Sequence, residues 1–205
     1  MKERKQHWEH IYTHKSPQEV SWTQGKPSLS LRWINDLNLP KDAPIIDVGG
    51  GESHLVDYLL MDGYTDLTVL DLSKAALERS KKRLGDKAKA IQWIEADITE
   101  FEPTRSYALW HDRAVFHFLT KENEIAYYRE LTHDKVSDYL LLSTFSKKGP
   151  LKCSGLPITQ YDVDALNACF KKSFDLQQQK EELHTTPFDT TQAFLYTLFQ
   201  KINSQ

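Results

Sequence analysis

The sequence predicts an α/β fold, a doubly wound sheet of seven strands, mostly parallel, that ends in an antiparallel hairpin. Three observations predict it. From Ile45 onward, short apolar runs rich in β-branched residues alternate with longer amphipathic stretches, the pattern of a parallel sheet covered by helices on both faces. The first run passes straight into the turn Gly49-Gly50-Gly51, and the second ends in Asp71. The last two runs are joined by a polar segment around Thr185 to Thr190. That segment is too short for a crossover helix, so the two runs pair antiparallel.

Taken in order, residues 1–39 read as an aromatic and polar lead-in, a helical lid with helices around His7 to Tyr12 and Leu29 to Leu37. Residues 40–205 read as the core of the same single domain, and 205 residues suit one domain. The expected strands are Pro44 to Val48, Leu67 to Asp71, Ala90 to Glu95, Tyr107 to His111 and Tyr139 to Phe145. A helix over Ser53 to Met61 places Leu55, Val56, Leu59 and Leu60 on one face, and a second, Ser73 to Leu84, opens with a capping serine. After Pro150 a loop rich in Gly and Pro precedes a short helix over Val163 to Phe170. The hairpin strands follow as Phe174 to Leu183 and Gln192 to Lys201.

Composition narrows the function classes. Hydrophobic residues at 40% and charged residues at 27% describe a folded chain, too apolar for disorder. The formal charge is only -3 with both signs interspersed, so neither a nucleic acid nor an anionic membrane is expected as partner. Cys153 and Cys169 form no CxxC pair and read as free thiols of a reducing compartment. Met1 to His10 lacks an apolar run and no stretch reaches the roughly 20 apolar residues of a membrane span. A cytoplasmic protein is expected, a monomer or weak dimer. No cluster of His and carboxylates shows ligand spacing, so no metal is expected.

The stretch from Ile45 to Ser53 is a buried strand, a glycine turn and a helix start, the arrangement on which nucleotide-like ligands sit. Glycine lets the backbone turn sharply and approach the ligand without a Cβ, and the helix terminus offers free amides. Gly49 and Gly51 are expected to carry that contact. Asp71 lies 20 residues beyond Gly51 at a strand end, where a carboxylate can accept both hydroxyls of a ribose. A nicotinamide enzyme uses the same two elements. Here, however, the third glycine of its G-x-G-x-x-G fingerprint falls on His54, where close helix packing wants a small residue.

From about Ile45 to its C-terminus the chain resembles the class I S-adenosylmethionine-dependent methyltransferases. The likeness rests on Asp47-Val48-Gly49-Gly50-Gly51, on Asp71, and on Ala96-Asp97-Ile98-Thr99 after the third strand. It implies a Rossmann-like fold, S-adenosylmethionine as cofactor, and methyl transfer to a nitrogen, oxygen or sulfur nucleophile of a small molecule or a protein lysine. By the same likeness Asp97 bonds the adenine amino group, Ile98 packs on the ring, and Gly50 and Leu72 join the cofactor site. More narrowly, the chain is similar to a branch with bacterial methyltransferases and the mitochondrial citrate synthase lysine methyltransferase. That similarity rests on His7-Trp8, Ile11-Tyr12, Lys15, Glu19 to Gln24, Trp110 to Phe118 and Gly149 to Pro157.

In a doubly wound sheet the ligand crevice lies beyond the carboxyl ends of the strands, which places His111, Asp112 and Arg113 at the acceptor. Methyl transfer needs alignment of the acceptor and an unprotonated lone pair. His111 is the first candidate base and a cofactor neighbour, and Asp112 is the second base or an electrostatic partner. The structural alternatives are a strand-end hydrogen bond for His111 and an ion pair between Asp112 and Arg113. His117, between Phe116 and Phe118, is expected in the core. Tyr12 and Trp22 are expected to close over the cofactor, since a sulfonium favours aromatic faces. Cys153 and Ser154, on the loop after the fifth strand, are candidate acceptor contacts. Two other functions compete: a non-catalytic S-adenosylmethionine-binding protein and a nicotinamide-dependent oxidoreductase.

Overall fold

A computed structural model describes residues 2–202 of the chain. Five strands, β1 (Ile45–Val48), β2 (Leu67–Asp71), β3 (Ile91–Glu95), β4 (Tyr107–Arg113) and β5 (Val136–Phe145), run parallel. A minimal hairpin of β6 (Lys152–Cys153) and β7 (Leu156–Pro157) stands apart from them. Two long strands, β8 (Phe174–Thr185) and β9 (Thr191–Lys201), close the chain. The main sheet has seven strands in the order β3-β2-β1-β4-β5-β9-β8, with β9 antiparallel to both of its neighbours. This is the predicted fold. Because β2 and β3 are added on one side of β1 and β4 on the other, the strand order reverses at β1, and a crevice opens beyond the carboxyl ends of β1 and β4.

Six helices accompany the sheet: α1 (Lys2–His14), α2 (Ser28–Asp36), α3 (Leu55–Met61), α4 (Lys74–Leu84), α5 (Glu122–Lys135) and α6 (Val163–Phe170). Two apolar clusters fill the space between layers. Leu29, Ile34, Leu55, Leu59, Leu77, Leu109 and Leu141 form one under α2, α3 and α4. Ile46, Trp110, Tyr128, Leu140, Leu166 and Phe199 form the other under α5 and α6. Side chains alternate across a strand, so β4 gives Leu109 to the first cluster and Trp110 to the second. The same alternation sends His111 and Asp112 to opposite faces, which decides their roles.

Local chemistry fixes the elements around the crevice. Ser73 caps α4, its side chain accepting from the Ala76 amide at 3.2 Å. The turn after β1 occupies Gly49 to Ser53, where the Ser53 amide donates to the Gly50 carbonyl at 3.0 Å. Consequently α3 starts at Leu55 and not at Ser53. α5 has no counterpart among the sequence-predicted elements. Strand β4 runs two residues past its predicted end, to Arg113, because β5 continues to pair with it there. The outer strand β8 is polar and largely exposed along its middle, a composition that guards a sheet edge against further pairing. Among the described residues no helix is long and apolar enough to cross a membrane, and no cluster of His, Cys, Asp or Glu has the shape of a metal site.

Candidate cofactor and acceptor site

One large cavity opens at the crevice, an empty space of about 1220 Å³ that is partly open to solvent. Among its lining residues are Tyr12, Trp22, Gly49, Gly50, Asp71, Leu72, Asp97, Ile98 and His111, nine of the positions singled out from sequence. Each glycine of the turn answers to a different neighbour. Gly49 has φ +70°, and a Cβ there would overlap the Cγ2 methyl of Val115. At Gly50 a Cβ would strike the Asp47 carboxylate. At Gly51 it would come within 2.6 Å of both Ala76 and Asp71 Oδ2.

Gly51 is not among the residues lining the cavity. Its amide donates to Asp71 Oδ2 at 3.0 Å while the Ser73 amide donates to Oδ1 at 2.8 Å, so Gly51 fixes the direction of the carboxylate. Burial pushes the Asp71 carboxyl up to about 6, against the opposing pull of those two amides; Asp47 and Glu9 nearby push the same way as burial. At the far end, Asp97 Oδ1 accepts from the Thr99 amide at 3.0 Å and the Thr99 hydroxyl at 2.8 Å. Its Oδ2 is buried without a partner. An orphaned carboxylate oxygen beside a cavity is costly unless a donor arrives. Ile98 and Leu72 line the cavity as well and give it apolar surface.

Helix α1 lies over this end. Glu9 accepts from the Ser73 hydroxyl at 2.7 Å and the Ala75 amide at 3.2 Å, adding a negative charge at the α4 N-terminus. Arg4 sits 3.7 Å from Asp97 and donates to Glu124 at 3.0 Å. Further along, Trp8 meets Trp22 at 5.4 Å and Phe118 at 5.3 Å between ring centroids, both edge to face. Trp22 in turn donates from its indole to the Tyr12 hydroxyl at 3.2 Å. These rings form an aromatic wall over the glycine turn.

The two candidate bases occupy different environments. His111 lines the cavity, yet its Nδ1 pairs with Asp47 Oδ1 at 2.7 Å and its Nε2 with Ser30 Oγ at 2.9 Å. All three residues are buried. Asp112 faces the opposite side of the sheet and is fully buried there. It accepts from the Val115 amide at 2.9 Å, the Phe116 amide at 3.2 Å and the Tyr128 hydroxyl at 2.7 Å. Burial lifts its carboxyl to about 6 against those three donors. The expected base role for Asp112 is therefore corrected: it has no path to the cavity and shapes the turn after β4. Nor does it pair with Arg113.

Arg113, next along β4, lines the cavity. Its Nε donates to the Tyr196 hydroxyl and its Nη1 to the Trp22 carbonyl, each at 3.0 Å, and its plane lies 4.5 Å over Phe194. Cys153 also lines the cavity, buried, its thiol pushed up to about 12 by that burial. Ser154 instead meets His7 at 3.3 Å. His117 is wholly buried, as expected; burial, with the Arg113 charge, lowers it to about 3. Its Nδ1 accepts from the Phe145 amide at 3.2 Å.

Residues 45–133 match the family described as "Methyltransferase domain". A malonyl-[acyl-carrier protein] O-methyltransferase of Anoxybacillus flavithermus is 35% identical over 107 residues, 51% of this chain and 39% of that protein. The chain thus spans less than half the length of the curated relatives it matches. Among solved structures, an S-adenosylmethionine-dependent methyltransferase from Anabaena variabilis superposes with a TM-score of 0.75 at 15% identity, covering 97% of this chain and 93% of that one. The Burkholderia thailandensis 1,6-didemethyltoxoflavin-N1-methyltransferase, solved with bound 1,6-didemethyltoxoflavin and S-adenosylhomocysteine, superposes at 0.67 and 15% identity, covering 94% and 81%. Over residues 45–133 the chain is thus similar to the methyltransferase domain family, and its Rossmann-like fold is the one these solved methyltransferases share.

Proposed function

We propose that the protein is an S-adenosylmethionine-dependent methyltransferase acting on a nitrogen, oxygen or sulfur nucleophile. One observation carries the reading: two acidic side chains, Asp71 and Asp97, face one cavity across a glycine turn, and the Oδ2 of Asp97 is buried there without a partner in the protein. Asp71 would hold the ribose hydroxyls, Asp97 the adenine amino group, and Ile98 and Leu72 the ring. Gly49 and Gly50 would let the backbone approach the rest of the molecule. When bound, the cofactor supplies an electrophilic methyl group on a sulfonium.

What the chain itself contributes is alignment and exclusion of water. Trp8, Tyr12, Trp22 and Phe118 close the cavity and present ring faces that favour a cation. In this reading His111 is a positioning residue, because both of its ring nitrogens are already engaged and it fixes Asp47 beneath Gly50. The resemblance of the lead-in to the lysine methyltransferase branch keeps a protein lysine among the acceptors, beside small molecules. The competing oxidoreductase reading is opposed by His54, which lines the cavity where a third glycine would be needed.

Calorimetric titration with S-adenosylmethionine, S-adenosylhomocysteine and NAD tests the assignment. Micromolar binding of the sulfur pair, weakened at least tenfold in Asp71→Ala, is the expected result, at about 1.4 kcal/mol per factor of ten. Binding of NAD alone would overturn it.

A further inference from the structure

We propose that the methyl acceptor is a small anionic molecule with a flat apolar body, and that Arg113 selects it by pairing with its carboxylate or equivalent group. This rests on the methyltransferase reading and adds the substrate class. Arg113 is held by three neutral partners: the Tyr196 hydroxyl, the Trp22 carbonyl and the face of Phe194. Among the described residues no carboxylate lies within ion-pair distance of it, although the other arginines around the cavity and on α4, Arg4, Arg79 and Arg83, all have one. Its Nη2 is shut off from water and lacks any acceptor. A cation so placed is expensive unless an anion joins it, and a guanidinium with one edge free is shaped for a carboxylate.

The groups facing Arg113 from neighbouring elements do not neutralise it. His117 from the turn after β4, His184 from β8 and Cys153 from β6 each feel its positive charge, and burial keeps all three uncharged. The carboxylates of the site, Asp47, Glu52, Asp71 and Asp97, line the cavity elsewhere, around the glycine turn and the ends of β2 and β3. The cavity is therefore polarised, negative where a sulfonium nucleoside would sit and positive at the acceptor end. Trp8, Trp22, Phe118 and Val115 supply the apolar surface between them.

The test uses the full chain saturated with S-adenosylhomocysteine, titrated with benzoate, phenylacetate and indole-3-acetate and with the three matching amides. Tighter binding of at least one acid than of its amide, by about tenfold or more, is expected. That preference should vanish in Arg113→Gln and survive in part in Arg113→Lys, each variant being titrated at an S-adenosylhomocysteine concentration that saturates it. Equal binding of acids and amides, no binding of any acid, or tighter binding of N-acetyl-lysine amide than of every acid would overturn the proposal. Loss of S-adenosylhomocysteine affinity in Arg113→Gln would overturn it too, by assigning the guanidinium to the cofactor. Failure of the unaltered protein to bind S-adenosylhomocysteine at all would instead remove the methyltransferase reading beneath it.

Discussion

Gly49 shows how one backbone angle sets the site. Its φ of +70° is costly for any L residue with a side chain, and the position is also closed by Val115. Gly49→Ala should destabilise the protein by about 2 kcal/mol or more, measured by urea unfolding. Adding Val115→Ala should recover the steric part and leave the backbone part. Asp71 carries a pH signature. With its carboxyl raised to about 6 from an ordinary 3.8, it takes up a proton in the folded state before the unfolded state does, so its own contribution to stability grows as pH falls from 6 toward 4. Ligand binding runs the other way, since a protonated carboxyl accepts fewer hydroxyls. Affinity for S-adenosylhomocysteine should fall about tenfold between pH 7 and pH 5, and titration of Asp71→Asn should be nearly flat. The sequence reveals Asp71 because a strand end and a spacing suffice to place it. It does not separate His111 from Asp112: with apolar residues on both faces of β4, alternation says they diverge but not which face opens on the cavity.

At the level of elements, long-range polar contacts do what local pattern cannot foretell. Helix α1 begins at Lys2, five residues before its predicted start, because Arg4, Lys5 and Glu9 find partners on Glu124, Glu95 and the α4 N-terminus. Those partners lie 64 to 120 residues away, out of reach of any periodicity. Glu9→Ala should cost about 1 kcal/mol and should speed amide exchange in α1 well before that in β4. Helix α5 was missed because its apolar positions are few and scattered among charges. What ties it to the sheet is a buried chain in which the Trp110 indole donates to the Tyr128 hydroxyl at 3.0 Å and that hydroxyl donates to Asp112. Tyr128→Phe removes one of the donors to a buried carboxylate and should cost about 1–3 kcal/mol by thermal unfolding.

Across the whole molecule, the alternation of apolar runs and the closing hairpin were legible because they follow from burial on two faces and from loop length. The cavity was legible in outline, since the reversal of strand order at β1 places it. Its polarity was not, because the unpaired charge of Arg113 depends on what β8, β9 and the Trp22 segment fail to offer. The same sheet serves both ends: β1, β2 and β3 deliver the glycines and carboxylates, β4 and β9 the cation and its aromatic support. The central claim is that Asp71 and Asp97 hold a sulfonium nucleoside. A crystal structure of the protein with S-adenosylhomocysteine tests it most directly. The ribose hydroxyls should lie within hydrogen-bond distance of Asp71 and the adenine amino group should meet Asp97 Oδ2; a ligand bound elsewhere, or a nucleoside turned away from both carboxylates, would contradict the account.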